Sequence, residues 1–187
     1  MSIRAPKRAT LDDLLRTEGK AELIGGRIVR YMASGHLPSA SALEITVSLH
    51  QHAKSKRKGR AYGDGIGYAV PELPSGRESF SPDASYYDGP LPINLMRFIE
   101  GPPQFAAEVR SENDYGPKAE REIAAKRGDY FTAGTLVVWD VDPVAKTVAA
   151  YRSTAPDKPV IFHEGDKADA EPAVPGWRMA VTDIFAQ

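Results

Sequence analysis

The chain has 187 residues, 42% apolar and 26% charged, which suits one globular domain able to bury its own core. It contains no cysteine, so disulfides and thiolate metal sites are excluded, and no apolar run of membrane-spanning length or signal-peptide type; the expected location is cytoplasmic, with no membrane partner. A net charge of −1 excludes a global basic footprint, so any contact with nucleic acid must rest on a local cluster.

In chain order, Thr10 is placed to N-cap a short helix starting at Leu11. Ala21-Glu22-Leu23-Ile24 and Arg27-Ile28-Val29-Arg30-Tyr31 flank Gly25-Gly26, a hairpin signal, because both turn positions can take positive φ. From about Leu37 to Arg57 apolar residues recur at helical spacing (Ala42, Leu43, Ile45, Val47, Leu49, Ala53), which predicts a long helix lying on a sheet. Its end is basic, with Lys54, Lys56, Arg57, Lys58 and Arg60. The macrodipole favours cations there, so a solvated helix end and a phosphate-contacting patch are both open readings.

Gly and Pro punctuate residues 60–87, between short β-like stretches at Ala61-Tyr62, Ile66 to Val70 and Asp83 to Tyr87. After a loop holding Pro90, Pro92, Pro102 and Pro103, Phe105 to Val109 reads as a short buried strand. A helix from Pro117 to Ala133 is stopped by Gly134. Thr135 to Val141, the most apolar strand, pairs with Thr147 to Tyr151 as a hairpin. Residues 152–187 suggest one more strand, Val160 to His163, and a partly ordered end. The strand–helix–strand unit at 104–141 implies a parallel crossover, and the hairpins imply antiparallel pairs. The fold class is therefore α/β, a mixed sheet flanked by helices in a single domain, with a core over about 20–152 and a C-terminal extension over 153–187.

Asp83, after Pro82, falls near a strand end, and Glu108 lies in an otherwise apolar strand, where an acid needs a partner or a metal. Neighbouring strands could bring both carboxylates to one hard cation such as Mg²⁺ or Mn²⁺. Lys126, on the following helix, could reach back over the Glu108 strand and supply positive charge. His50 and His52, at i, i+2, point to different helix faces and do not form a paired metal site. An apolar strand ending in Asp140-Val141-Asp142 also resembles the nucleophile strand of haloacid-dehalogenase-like phosphatases, but those usually place it near the N-terminus, before a Gly-Thr type turn, whereas here it comes late and is followed by Pro143-Val144-Ala145-Lys146.

The segments Glu22-Leu23-Ile24-Gly25-Gly26-Arg27-Ile28-Val29, His36, Pro82-Asp83, Glu108-Val109-Arg110-Ser111, Asp114, Lys126, Tyr130, Gly134 and Trp139-Asp140-Val141-Asp142-Pro143 stand in an order that resembles the PD-(D/E)XK nuclease superfamily. Within it they are similar to a widespread bacterial family of restriction-endonuclease-like proteins. The resemblance implies a restriction-endonuclease-like core and a divalent-metal-dependent endonuclease hydrolysing phosphodiester bonds, with DNA as partner. By the same resemblance Asp83 and Glu108 bind the metal, with Glu22 as an additional acid bound directly or through water. Lys126 stands in for the motif lysine, because Arg110 occupies the position two residues after Glu108 where that lysine usually sits. Arg110 can hold a phosphate but is too basic to act as a base. His36, Lys54, Arg57 and Lys58 are candidate substrate contacts. A homodimer is expected if both strands of a duplex are cut. The alternative from another class is a nuclease-fold protein that binds nucleic acid or a protein partner without cutting.

Overall fold

The computed structural model describes residues 8–186. Thr10 caps helix α1 (Leu11–Leu15) through a capping box with Asp13, satisfying two otherwise orphaned N–H groups. Strands β1 (Ala21–Ile24) and β2 (Arg27–Arg30) form the Gly-Gly hairpin, with φ of +59° and +70° at Gly25 and Gly26. Helix α2 (His36–Lys56) follows, then β3 (Arg60–Gly63), β4 (Tyr68–Ala69), β5 (Ser79–Phe80), β6 (Ala84–Tyr87), β7 (Ile99–Glu100) and β8 (Phe105–Val109). Helix α3 (Pro117–Ala133) begins on proline and ends at Gly134, whose φ of +114° suits glycine. Then come β9 (Val137–Asp142), β10 (Thr147–Arg152), β11 (Ala155–Phe162), β12 (Lys167–Asp169), β13 (Arg178–Ala180) and α4 (Val181–Phe185).

Six strands form the central mixed sheet in the order β11-β10-β9-β8-β6-β3. The β8–β9 pair is parallel, as an intervening helix requires, and the other pairs are antiparallel. β1–β2 stands apart as a hairpin, and β5-β4-β7 makes a small second sheet.

The two faces of the central sheet are packed differently. One face meets α2 through Ala42, Ile45, Leu49 and Ala53, a single helical stripe, together with Phe105, Trp139, Trp177 and Ile184. The other face carries Ala106, Val138 and Tyr130 of α3, with Tyr68 and Phe80 of the small sheet. Alternation along β8 divides its residues between these faces: Phe105, Ala107 and Val109 go to the α2 side, Ala106 to the α3 side.

Three sequence expectations change. Leu43 and Val47 lie off the buried stripe of α2 and are 60% and 41% exposed. The Ile66 to Val70 stretch yields only the two-residue β4, outside the central sheet. The end of the chain is not a trailing extension: Trp177 stacks on Trp139 with ring centroids 4.9 Å apart, and Met179, Val181 and Ile184 are buried in the α2-side core. No helix among the described residues is long and apolar enough to cross a membrane.

Candidate active site

The site lies where β6 and β8 run side by side. Asp83 immediately precedes β6, and its N–H donates to the Ala107 carbonyl at 3.1 Å. Its Oδ2 accepts from the Val109 N–H at 2.8 Å, so Asp83 brackets Glu108 from the adjacent strand. These two backbone contacts set Asp83 beside Glu108, although 24 residues of chain lie between them.

Helix α3 supplies the cation. The Lys126 ammonium lies 2.8 Å from Glu108 and 3.1 Å from Glu22 Oε1. One turn on, the Tyr130 hydroxyl donates to Glu108 Oε1 at 2.6 Å while its ring stacks on Phe80 at 4.1 Å. Tyr130 is thus both core residue and site residue. Packing of the ring fixes the rotation of α3, which in turn aims Lys126 at the acids.

Glu22 turns inward from the hairpin and is fully buried. Its Oε1 accepts from the Ser81 N–H at 2.9 Å as well as facing Lys126, and its Oε2 accepts from the Tyr31 hydroxyl at 2.7 Å and from Arg77. Arg77 in turn donates to Asp129 of α3 at 2.9 Å. Lys20, at the open end of the hairpin, reaches Asp83 Oδ1 at 2.5 Å and Asp64 at 2.8 Å. The carboxylates Glu22, Asp83 and Glu108 are therefore faced by Arg77, Lys20 and Lys126, which keeps a buried cluster nearly neutral.

The electrostatics separate the two glutamates. Burial works against ionising Glu22, but Lys126, Arg77, Tyr31 and the Ser81 N–H outweigh it and bring its pKa down to about 2. Glu108 goes the other way: burial, Asp83 and Glu22 together outrun Lys126 and Lys20 and raise it. Burial and the neighbouring Glu22 push Tyr31 up to about 12, so it stays a donor. Lys126 and Lys20 remain protonated, because the carboxylates overcome the cost of burying them.

Two expected site residues are engaged by partners within the chain. Glu22, with four donors on its two oxygens and no exposure, faces Lys126 and Arg77 as an internal counter-ion. The Arg110 guanidinium donates to both Asp140 oxygens at 2.7 Å and also pairs with Glu120. His36 is exposed at the first position of α2. Lys54, Arg57 and Lys58 lie at the far end of that helix, away from the acids. Lys20, Tyr31 and Arg77 were missed. Lys20 stands two residues before Glu22, a spacing consistent with one face of a strand, but Arg77 sits in a Gly/Pro-rich loop with no periodic signal.

A hard cation could be held by Asp83 and Glu108, each an oxygen donor with lone pairs left over. Among the described residues no group of three or more acidic or histidine side chains is arranged to hold a metal ion. That donor set fits Mg²⁺ or Mn²⁺ completed by waters and a phosphate, as Mg²⁺ sites commonly are, and does not fit an all-protein calcium cage.

Residues 8–182 match the model of the Uma2 family, described as "Putative restriction endonuclease". The chain belongs to the Uma2 family. A crystal structure described as a putative nuclease belonging to DUF820, from Anabaena variabilis ATCC 29413, shares this fold with a TM-score of 0.72. It is 21% identical, over 94% of this chain and 97% of that one. No curated protein matches. The Uma2 match spans the hairpin, both acids, α3 and the C-terminal strands, so all the site residues described above fall within the family region.

Proposed function

We propose that this Uma2 protein is a divalent-metal-dependent endonuclease that hydrolyses phosphodiester bonds in DNA. The observation that carries the reading is the bracketing of Glu108 by Asp83 across the β6–β8 ladder, with Lys126 held against Glu108 by α3. Mg²⁺ or Mn²⁺ on Asp83 and Glu108 would supply Lewis acidity to the scissile phosphate. The chain's own groups position and stabilise. Tyr130 and Lys126 fix the Glu108 carboxylate, and Lys126, held protonated, offers its ammonium to charge developing on phosphate oxygens rather than acting as a base. Lys20 offers a second ammonium on the Asp83 side. Glu22 and Arg77 anchor the hairpin and α3 so that both lysines stay in register.

The test is incubation with supercoiled plasmid, linear duplex and single-stranded DNA, with Mg²⁺ or Mn²⁺ and with chelator. Metal-dependent cleavage that Asp83→Ala abolishes is the expected result. Binding to DNA with no cleavage under any metal would instead assign the fold a binding role, the reading that the Arg110 substitution in the motif favours. Two-site cleavage of a duplex would further call for a homodimer, checked by the mass of the active species in solution.

A further inference from the structure

We infer that the seam between α2 and β3 is a backbone track that grips the nucleic acid several nucleotides away from the scissile bond. Two depressions follow one another along that seam. The first is walled by Ser39, Leu43 and Thr46 of α2 against Gly63 of β3, and it opens onto Asp83. The second lies further along both elements, between His50, Lys54 and Arg57 on one side and Tyr62 and Arg60 on the other. Residues 39, 43, 46, 50, 54 and 57 make one continuous stripe at three- and four-residue spacing. β3 is the last strand of the central sheet, so its outer edge is left unpaired by other strands in that sheet.

Charge divides along the seam. The first depression holds Asp64 and Asp83, whereas among the described residues no acidic side chain lines the second. Lys54, Lys56, Arg57 and Arg60 are exposed and make no ion pair among the described residues; Lys58 alone has a carboxylate nearby, Asp88 at 3.4 Å. Helix-dipole complementarity accounts for Lys54 and Lys56. It does not account for Arg60, which lies on β3 beyond the turn yet faces the same depression. An unpaired cluster drawn from two elements around one groove suits a polyanion.

Distance makes the inference specific. From Ala42, beside Asp83, to Arg57 is 15 residues of helix and cap, about 22 Å at 1.5 Å per residue. Phosphates on one strand of a duplex advance about 3.4 Å each, so the basic end meets the strand about six or seven nucleotides from the metal site. The inference rests on the nuclease reading for its near end. The Lys/Arg cluster is then a distal anchor that short substrates cannot reach while their bond is at Asp83.

The experiment measures binding of labelled, hairpin-capped duplexes of about 5 and about 20 base pairs by anisotropy, in chelator, across a salt series. The wild-type chain should bind the long duplex at least about tenfold more tightly than the short one. The Lys54→Ala/Arg57→Ala/Arg60→Ala variant should erase that gain and flatten the log–log salt slope on the long duplex by about 2–3. A Lys158→Ala/Lys167→Ala variant, which removes exposed cations elsewhere, should keep it. An unchanged slope in the triple variant, or equal loss in the control, overturns the track. Length-independent binding with metal-dependent cleavage intact overturns the track alone. Cluster-dependent, length-dependent binding with no cleavage keeps the track and overturns the nuclease.

Discussion

The two faces of the central sheet solve opposite problems with the same strands. Towards α2, Phe105, Trp139, Trp177 and Ile184 make a buried, largely aromatic core. Towards α3, Glu108 leaves the same strand as Phe105 and enters a cluster with Glu22, Lys126 and Arg77. The first face stores stability. The second spends some of it to hold charges at fixed positions, since buried ion pairs recover little beyond their desolvation cost.

The largest effect that would sharpen this contrast is on the aromatic face. Trp139→Ala should cost about 3–5 kcal/mol, lowering the melting temperature by roughly 10 °C, with specific activity of the remaining folded protein near wild type. Loss of activity greater than loss of folded protein would show the faces to be coupled.

On the charged face, Arg77→Met leaves Glu22 buried with one cation fewer and should cost about 3 kcal/mol. The pH dependence gives the sign. Glu22 ionises in the folded state at about 2, below its ordinary 4.5, so its contribution is present above 4.5 and lost as pH falls through 2. Arg77→Met weakens the depression, so denaturant midpoints measured against pH should show a smaller acid loss below 4.5, complete at a higher pH than in wild type. Superimposable acid limbs would mean that Arg77 does not set the Glu22 charge.

Lys126→Met should lower metal-dependent cleavage by at least about 10²-fold, because it removes the ammonium from Glu108. Glu22 retains Arg77, Tyr31 and Ser81, so the variant should still fold, as circular dichroism would show. Full activity in that variant would transfer the role to Lys20, and Lys20→Met would then carry the loss.

The smallest effect is the most pointed. Glu108 ionises with more difficulty than usual because of burial, Asp83 and Glu22, so its contribution to stability fades as pH rises above 4.5. Glu108→Gln should therefore abolish cleavage without destabilising the fold near neutral pH, a trade of stability for function. A thermal melt at pH 7 that shows destabilisation would place Glu108 among the structural ion pairs.

The sequence by itself determined the elements whose signals are local. Gly25-Gly26 determined the hairpin, the Pro117 and Gly134 boundaries determined α3, and an acid amid Phe105, Ala106 and Val109 marked Glu108 as a site residue. The meeting of Lys126 with Glu108 was legible too, because the helix that follows the Glu108 strand carries Lys126 back over it. Tertiary structure decided what depends on contacts between distant segments. Glu22 became a counter-ion because Arg77, Tyr31 and Ser81 converge on it. Arg110 was withdrawn from the site by Asp140, its neighbour only through the parallel β8–β9 pairing. Lys20 joined Asp83 across 63 residues, and Trp177 closed the core against Trp139. Short strands and single charges carry no periodicity, so their partners are chosen by packing and desolvation after the chain has folded, not by the residues beside them.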